Sequence, residues 1–194
     1  MEKFDRLTAI AAPLPLANVD TDMILPARFM KGLTRCGLGA HLFRELRYTP
    51  DGAERADFIL NHPAGRQARV LVAERNFGCG SSREHAVWAL ADFGIRCVVA
   101  PSFGDIFAGN ARKNGLLLVR LPDGICERLR ADIARAQFAP LTVDLIEQRI
   151  LLASGEAIGF AIDPDDRRTL IEGLDDITRT LRHDAAIARY EARL

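Results

Sequence analysis

The sequence has no excess of charge of either sign, since 26 Lys and Arg residues balance 26 Asp and Glu residues. It therefore lacks the positive field that attracts proteins to nucleic-acid phosphates or to anionic lipids. It also lacks an apolar run of the roughly 18–20 residues that cross a bilayer. Its polar start, Met1–Arg6, does not resemble a signal peptide. We expect a cytoplasmic protein that binds neither nucleic acid nor membranes.

Cysteine is scarce, and the four residues lie far apart in the chain. They form no C-x-x-C motif and pair with no histidine at the spacing of zinc ligands. This argues against a metal or an iron–sulfur cluster that the chain holds alone. We predict that Cys36, Cys97 and Cys126 are reduced and buried as small apolar side chains.

With 194 residues, of which 48% are apolar, the chain can bury a sizeable core. No repeat or linker divides it, so we treat residues 1–194 as one domain with a helical C-terminal extension from about residue 164. Aliphatic runs alternate with segments of helical periodicity, which predicts an α/β fold. The predicted strands are Leu7–Ala12, Arg69–Ala73, Arg96–Ala100, Leu116–Val119, Leu141–Leu145 and Arg149–Ala153. The predicted helices are Arg83–Phe93, Asp105–Lys113, Asp123–Ala136, Asp163–Leu174 and His183–Arg193.

The densest polar segment, Asn76–His85, joins a predicted strand to a predicted helix through two glycines. Glycines let the backbone approach a ligand closely, and a helix N-terminus offers unpaired amides to an anion. Arg83 adds a planar guanidinium that suits a carboxylate or a phosphate. No Lys-Ser or Lys-Thr pair follows the glycines, and Arg83 replaces the third glycine of a dinucleotide-binding motif. The segment therefore favours a small anion over a nucleotide.

Ser81 has two possible roles on this pattern. Ser81 and Glu84 have the spacing of a capping box, in which the serine only bonds the first amides of the helix. However, the serines, Arg83, Glu84 and His85 that follow the glycines are more than a cap requires. A serine held among helix amides beside a cation could lose its proton and then accept one from carbon.

Two more polar loops follow predicted strands. One contains Asp20 and Asp22, which by themselves are typical of a turn with solvated acids. The other contains Ser102 and Asp105, either of which could cap the next helix. Because ligands of open α/β sheets bind beyond the carboxyl ends of strands, these loops could converge on one site.

Together these segments resemble the swivel-domain signature of the aconitase superfamily, and in particular the small subunits of 3-isopropylmalate dehydratases. The resemblance is carried by Asn18-x-Asp20-Thr21-Asp22, by Asn76–Ala86 and by Ser102–Phe107. Flanking similarity at Cys36–Phe43 and Gly173–Glu191 extends it over nearly the whole chain. It implies a single compact swivel-type β/β/α domain.

The resemblance also implies one subunit of a hydro-lyase. In this family 2-isopropylmalate loses water to give 2-isopropylmaleate, which is rehydrated to 3-isopropylmalate in leucine biosynthesis. A [4Fe–4S] cluster, held by three cysteines of a separate large subunit, acts as the Lewis acid for the hydroxyl. This chain lacks such a cysteine set, so the resemblance implies no cofactor on this chain, with the large subunit and a small dicarboxylate as its partners.

Site roles follow from motif position within the resemblance. Ser81 corresponds to the base that removes the proton next to the carboxylate. Gly80, Ser82 and Arg83 correspond to substrate-binding residues, and Cys79 to a small residue in the wall of the site. Asp20, Thr21 and Asp22 are expected to orient the site or the contact between the subunits, and Glu84 and His85 to brace the loop from the first turn of the helix.

Substrate choice is expected in the segment 28–35, where aconitases place an arginine for the extra carboxylate of citrate. Leu33 and Thr34 stand at that point here, and with Met30 they suit an isopropyl group. Another small diacid, such as citraconate or dimethylmalate, remains an alternative substrate, because basic residues that could bind a carboxylate lie nearby: Arg28, Lys31 and Arg35. A non-catalytic anion-binding module is the alternative from a different class.

Overall fold

The computed structural model describes residues 1–30 and 34–192. The strands are Arg6–Leu14 (β1), Val70–Ala73 (β2), Cys97–Ala100 (β3), Leu117–Arg120 (β4), Pro140–Asp144 (β5), Arg149–Leu151 (β6) and Ala157–Gly159 (β7). The helices are Thr21–Ile24 (α1), Arg44–Arg47 (α2), Glu84–Phe93 (α3), Asp105–Lys113 (α4), Asp123–Arg135 (α5), Pro164–Glu172 (α6), Asp176–Leu181 (α7) and Asp184–Glu191 (α8). The predicted α/β class is confirmed.

The strands form one mixed sheet in the order β4-β3-β2-β1-β5-β6-β7. β1 to β4 pair in parallel, and the central strands β2 and β3 are short, fully buried apolar runs because helices cover both of their faces. The first half of β1 pairs antiparallel with β5, and β6 and β7 continue that half of the sheet. The carboxyl ends of β1, β2 and β3 therefore lie side by side, at what we call the carboxyl edge.

Each face of the sheet carries its own apolar core. On one face, Leu71 and Val98 pack with residues of α3 and α4, including Phe107. On the other face, Val70 and Val99 pack with residues of α5 and α6. This alternation along β2 and β3 fixes the register of the sheet, because a slip of one residue would exchange the two cores. In the part of the chain that the structure describes, none of the helices combines the length and the apolar composition that crossing a bilayer requires.

The predicted strands and helices are correct in type, and their ends differ from the structure by at most two residues. β7, α7 and the short helices α1 and α2 were not predicted from the sequence. β7 and the two short helices contain only three or four residues each, too few to show a period. α7 has only six residues, fewer than two full turns, so it is also too short for a helical period to be recognised.

The prediction that Cys36 is buried is wrong. Cys36 lies in an irregular segment where Arg35 and Gly37 are also exposed, whereas Cys97 in β3 and Cys126 in α5 are buried as expected. The wide separation of the cysteines in the sequence argues against a metal site, but it does not indicate whether an individual cysteine is buried or exposed. Cys79 is half-buried.

We predict that Cys36 is the fast-reacting thiol of the folded chain. Burial raises the pKa of the Cys97 thiol and raises that of Cys126 to about 11, so little of either is present as the reactive thiolate. A colorimetric disulfide reagent at about pH 8 should label Cys36 first and Cys79 more slowly, and label the other two only in denaturant. Cys36→Ser should remove the fast phase, and a fast phase that survives would contradict this exposure.

Candidate active site

Three loops meet at the carboxyl edge, one after each of β1, β2 and β3. They comprise residues 15–20, 74–83 and 101–104, and we call them the first, second and third loops. Isolated parallel bridges join Asp20 to Cys79 and Phe77 to Phe103. The structure thus brings together the three polar segments that the sequence analysis singled out.

Backbone hydrogen bonds hold the second loop between the other two. The amide of Gly78 donates to the carbonyl of Val19 in the first loop at 2.7 Å. On its other side, the amide of Phe77 donates to the carbonyl of Ser102 in the third loop at 3.1 Å. Because the main chain makes these contacts, the position of the second loop does not depend on its outward-facing side chains.

Gly78 lies where the second loop crosses α4 too closely for a side chain. Its φ is +74°, and an added Cβ would stand 2.2 Å from Cγ of Phe107. Phe107 cannot move away easily, because it is buried and packs edge-on against Phe77 with ring centroids 5.5 Å apart. Only glycine satisfies both the positive φ and the contact.

We predict that Gly78→Ala lowers the free energy of unfolding by about 2–4 kcal/mol, through overpacking and a strained φ. Gly109→Ala is the matched control, because nothing lies within 4 Å of a Cβ added there. Gly109 is inside α4, so its alanine variant should gain about 0.5–1 kcal/mol. Chemical denaturation measures both changes, and equal stabilities would contradict the close crossing.

The capping box between Ser81 and Glu84 is absent. α3 begins at Glu84, and its N-cap residue, Arg83, makes no side-chain capping bond. Oε1 of Glu84 instead accepts a hydrogen bond from Nδ2 of Asn114 at 2.7 Å, and Oδ1 of Asn114 accepts one from the Trp88 indole at 2.9 Å. Glu84 therefore joins the first turn of α3 to the C-terminal end of α4.

Ser81 and Ser82 are exposed at the carboxyl edge, next to Gly80, whose φ is +94°. The carbonyl of Ser81 accepts a hydrogen bond from Oγ1 of Thr21 at 3.2 Å. This bond fixes the backbone at Ser81 to the start of α1, while the Ser81 side chain stays at the surface. Both serine hydroxyls are thus accessible to a ligand that approaches this edge.

The three polar residues where the first loop ends and α1 begins have different contacts. Asp20 caps α1, since its Oδ1 accepts a hydrogen bond from the Met23 amide at 2.7 Å. Thr21 is buried, and Asp22 forms an ion pair with Nη1 of Arg83. The simple turn expected here is therefore a capped helix that places a carboxylate against the second loop.

Arg83 is held close to the fold but remains at the surface. Its side chain is 18% exposed, whereas that of Asp22 is 55% exposed. A guanidinium has five N–H donors, and the ion pair with Asp22 engages Nη1 alone. The remaining donors suit a second carboxylate, so this geometry matches an anion-binding arginine.

The segment predicted to select the substrate is described on both sides of residues 31–33. Met30 is half-buried against the core, and Thr34 is exposed. Leu33 lies outside the described residues. After this segment, the guanidinium of Arg35 stacks over the Trp88 ring at 4.9 Å, and His85 packs on the same ring at 4.5 Å.

Neither Ser102 nor Asp105 caps α4, because its N-cap residue is Gly104, which has no side chain to do so. Oγ of Ser102 accepts a hydrogen bond from the Asn76 amide at 2.8 Å. Nδ2 of Asn76 also donates a hydrogen bond to Oδ1 of Asn18 at 2.8 Å, a contact that was not predicted from the sequence. Both asparagines have positive φ. Asparagine tolerates this conformation better than most residues, so an asparagine in each polar loop was the sequence signal that could have indicated these two turns.

The donor set does not fit a metal centre. Across residues 1–30 and 34–192, the structure brings no three His, Cys, Asp or Glu side chains together as metal ligands. Cys97 and Cys126 are enclosed in the core rather than placed at the carboxyl edge.

Known proteins match this chain in sequence. Residues 1–124 match the family model of the aconitase C-terminal domain, and residues 127–164 match the LeuD_N model. A 3-isopropylmalate dehydratase small subunit from Gluconacetobacter diazotrophicus is 57% identical over 99% of this chain and 93% of its own length. The corresponding small subunit from Granulibacter bethesdensis is 58% identical over 98% of this chain and 91% of its own.

A solved structure shows the same fold. The crystal structure of 3-isopropylmalate dehydratase (LeuD) from Methanocaldococcus jannaschii superposes with a TM-score of 0.69 at 22% identity, covering 95% of this chain and 99% of that one. The swivel-type fold expected from the sequence is therefore confirmed. With family models and full-length relatives in agreement, the chain belongs to the 3-isopropylmalate dehydratase small-subunit family of the aconitase superfamily.

Proposed function

We propose that the chain is the small subunit of a two-subunit hydro-lyase that interconverts 2-isopropylmalate and 3-isopropylmalate through 2-isopropylmaleate in leucine biosynthesis. The observation that carries this proposal is the exposed Ser81 beside Arg83, at the carboxyl edge of a chain whose relatives are named small subunits of that enzyme. A cytoplasmic location stays a prediction.

Arg83 is proposed to bind a substrate carboxylate through the donors that Asp22 leaves available. Charge-assisted bonds from a guanidinium to a carboxylate are strong and directional, so they would orient the carbon that carries the proton. Asp22 holds the guanidinium in place from the side of α1. Ser82, exposed beside Arg83, is proposed to bind the same end of the substrate.

Ser81 is proposed as the base. The first turn of α3 presents amides without helical partners and the positive end of the helix dipole, and Arg83 adds a full positive charge. These groups favour the charged form of a serine hydroxyl, which then takes the proton from the carbon next to the carboxylate. In the rehydration half of the reaction, Ser81 returns the proton to carbon.

The hydroxyl that leaves needs a second group, which we expect the large subunit to supply. A [4Fe–4S] cluster there would act as a Lewis acid. The small subunit would then contribute the base and the carboxylate-binding groups.

The isopropyl group is proposed to face the segment from Met30 to Thr34. The half-buried Met30 supplies apolar surface there, and it packs on the same core as the site loops. The side chains of this segment are proposed to determine that the site accepts isopropylmalate and not citraconate or dimethylmalate.

The test is reconstitution with a cluster-loaded large subunit without oxygen, following 2-isopropylmaleate formation from 3-isopropylmalate. Citrate, citraconate and dimethylmalate serve as comparison substrates. We expect turnover of 3-isopropylmalate alone. Turnover of citraconate or dimethylmalate instead would overturn the role of the Met30–Thr34 segment, and an intact complex without any turnover would favour the anion-binding module.

A further inference from the structure

Asn114 directly follows α4, and its side chain bonds two residues of α3. Nδ2 of Asn114 donates a hydrogen bond to Oε1 of Glu84 at 2.7 Å, and Oδ1 accepts one from the Trp88 indole at 2.9 Å. Nδ2 also donates to the carbonyl of Asn110, one turn earlier in the chain, at 2.8 Å. An inverted amide would set Oδ1 against the Glu84 carboxylate and the amino group against the indole N–H. The three bonds therefore fix the Asn114 amide in one orientation.

The first turn of α3 lacks a side-chain cap and is held by its neighbours instead. Its N-cap residue, Arg83, makes no capping bond, and the Arg83 guanidinium pairs with Asp22 of α1. The next residue, Glu84, is bonded to Asn114 at the end of α4. β1 and β3, which precede α1 and α4, lie on opposite sides of β2. The start of α3 is thus held from both sides.

The position of Ser81 depends on this turn, because it stands three positions before Glu84. Catalysis requires reacting groups within about 0.5 Å of the productive geometry, and a displacement of about 1 Å costs about 100-fold in rate. Asn114 itself lies away from the carboxyl edge, since α4 begins there and its 9 residues extend about 13 Å along the helix axis. Any effect of Asn114 on the reaction must therefore pass through α3.

We propose that Asn114 is a positioning residue for the reaction at Ser81. By bonding Glu84 it fixes the first turn of α3, so that the Ser81 hydroxyl keeps its place relative to the carboxylate bound by Arg83. This proposal rests on the proposed function, in which Ser81 is the base. Because Asp22 holds Arg83 independently, loss of the Asn114 bond should act on kcat more than on KM.

Asn114→Asp tests the proposal with almost no change in side-chain size. The new carboxylate still accepts the Trp88 indole bond, but it repels Glu84 instead of donating to it. We expect kcat of the reconstituted enzyme on 3-isopropylmalate to fall by about 10–100-fold, and KM to change by less than about threefold. Asn110→Asp is the matched control, because it adds the same charge one turn earlier and Asn110 contributes only its carbonyl to this contact. Its kcat should be unchanged.

Two further variants separate positioning from a general loss of stability. Glu84→Ala removes the same bond at a half-buried side chain without adding a charge, and should lower kcat by a similar factor. Adding Glu84→Gln to Asn114→Asp restores the bond in the opposite direction, since the glutamine amide donates to the new carboxylate. This double variant should recover kcat at least about tenfold over Asn114→Asp. A double variant no more active than Asn114→Asp would count against positioning.

Hydrogen exchange of the free full-length chain gives a readout that does not depend on turnover. In Asn114→Asp, the amides that donate to carbonyls of the first turn of α3 should exchange faster, while β2 and β3 keep their protection. Equal exchange in both proteins would overturn the proposal. So would an unchanged kcat in the folded variant, while the turnover of the unmodified complex would still support the proposed function. An unmodified complex without turnover would contradict the proposed function itself, and with it any role of Asn114 in the reaction.

Discussion

Replacing Ser81 by alanine is expected to lower kcat of the reconstituted enzyme by about 10²–10⁴-fold, the usual contribution of a positioned base. KM should change little, because Arg83 and Ser82 still bind the carboxylate. The loss of the hydroxyl should not disturb the fold, since the side chain is exposed and it is the Ser81 carbonyl that bonds Thr21. Steady-state kinetics on 3-isopropylmalate and thermal unfolding measure these three quantities.

Two serine variants complete that experiment. Ser154→Ala removes another exposed hydroxyl, in the turn between β6 and β7, and should leave both kinetic constants unchanged. Ser82→Ala should act mainly on KM, because Ser82 is assigned to binding. If Ser81→Ala turned over normally while Ser82→Ala lost kcat, the base would have been assigned to the wrong serine.

The fold was predictable where the physical signal is local. Continuous apolar runs identify strands that are buried on both faces, and the period of α4 gives its bounds as Asp105–Lys113, in agreement with the structure. The convergence of the polar loops also follows from a general rule, since parallel strands bring their carboxyl ends to one edge. The four-residue helix α1 was not predicted, because it depends on the cap that Asp20 provides and is too short to show a helical period.

The contacts within the site were not predictable, because they depend on strand order. Asp22 and Arg83 are 61 positions apart, and Glu84 and Asn114 are 30 apart. Their pairing requires β1 and β3 on opposite sides of β2, and a single sequence does not show that order. The motif could therefore identify Arg83 as a residue that binds a substrate carboxylate, but it could not show that the Asp22 carboxylate holds Arg83 in place.

Arg83→Lys is expected to raise KM by about 10–100-fold, because a lysine cannot bind a carboxylate with two parallel bonds and reaches Asp22 as a single point charge. Asp22→Asn should raise KM by a smaller factor, since the guanidinium remains but loses its fixed orientation. Stability should change by no more than about 1 kcal/mol in either variant, because the Asp22 carboxylate is 55% exposed.

The double variant decides whether Asp22 acts through Arg83. If Asp22 only positions the guanidinium, then adding Asp22→Asn to Arg83→Lys should raise KM little further, since the group it orients is already gone. Asp105→Asn is the control, because it removes an exposed acid in the first turn of α4 at the same edge. Fully additive effects of the two substitutions on KM would contradict this role, and so would an equal rise in KM for Asp105→Asn. Either result would mean that Asp22 acts through the electrostatic field of the carboxyl edge and not by positioning Arg83.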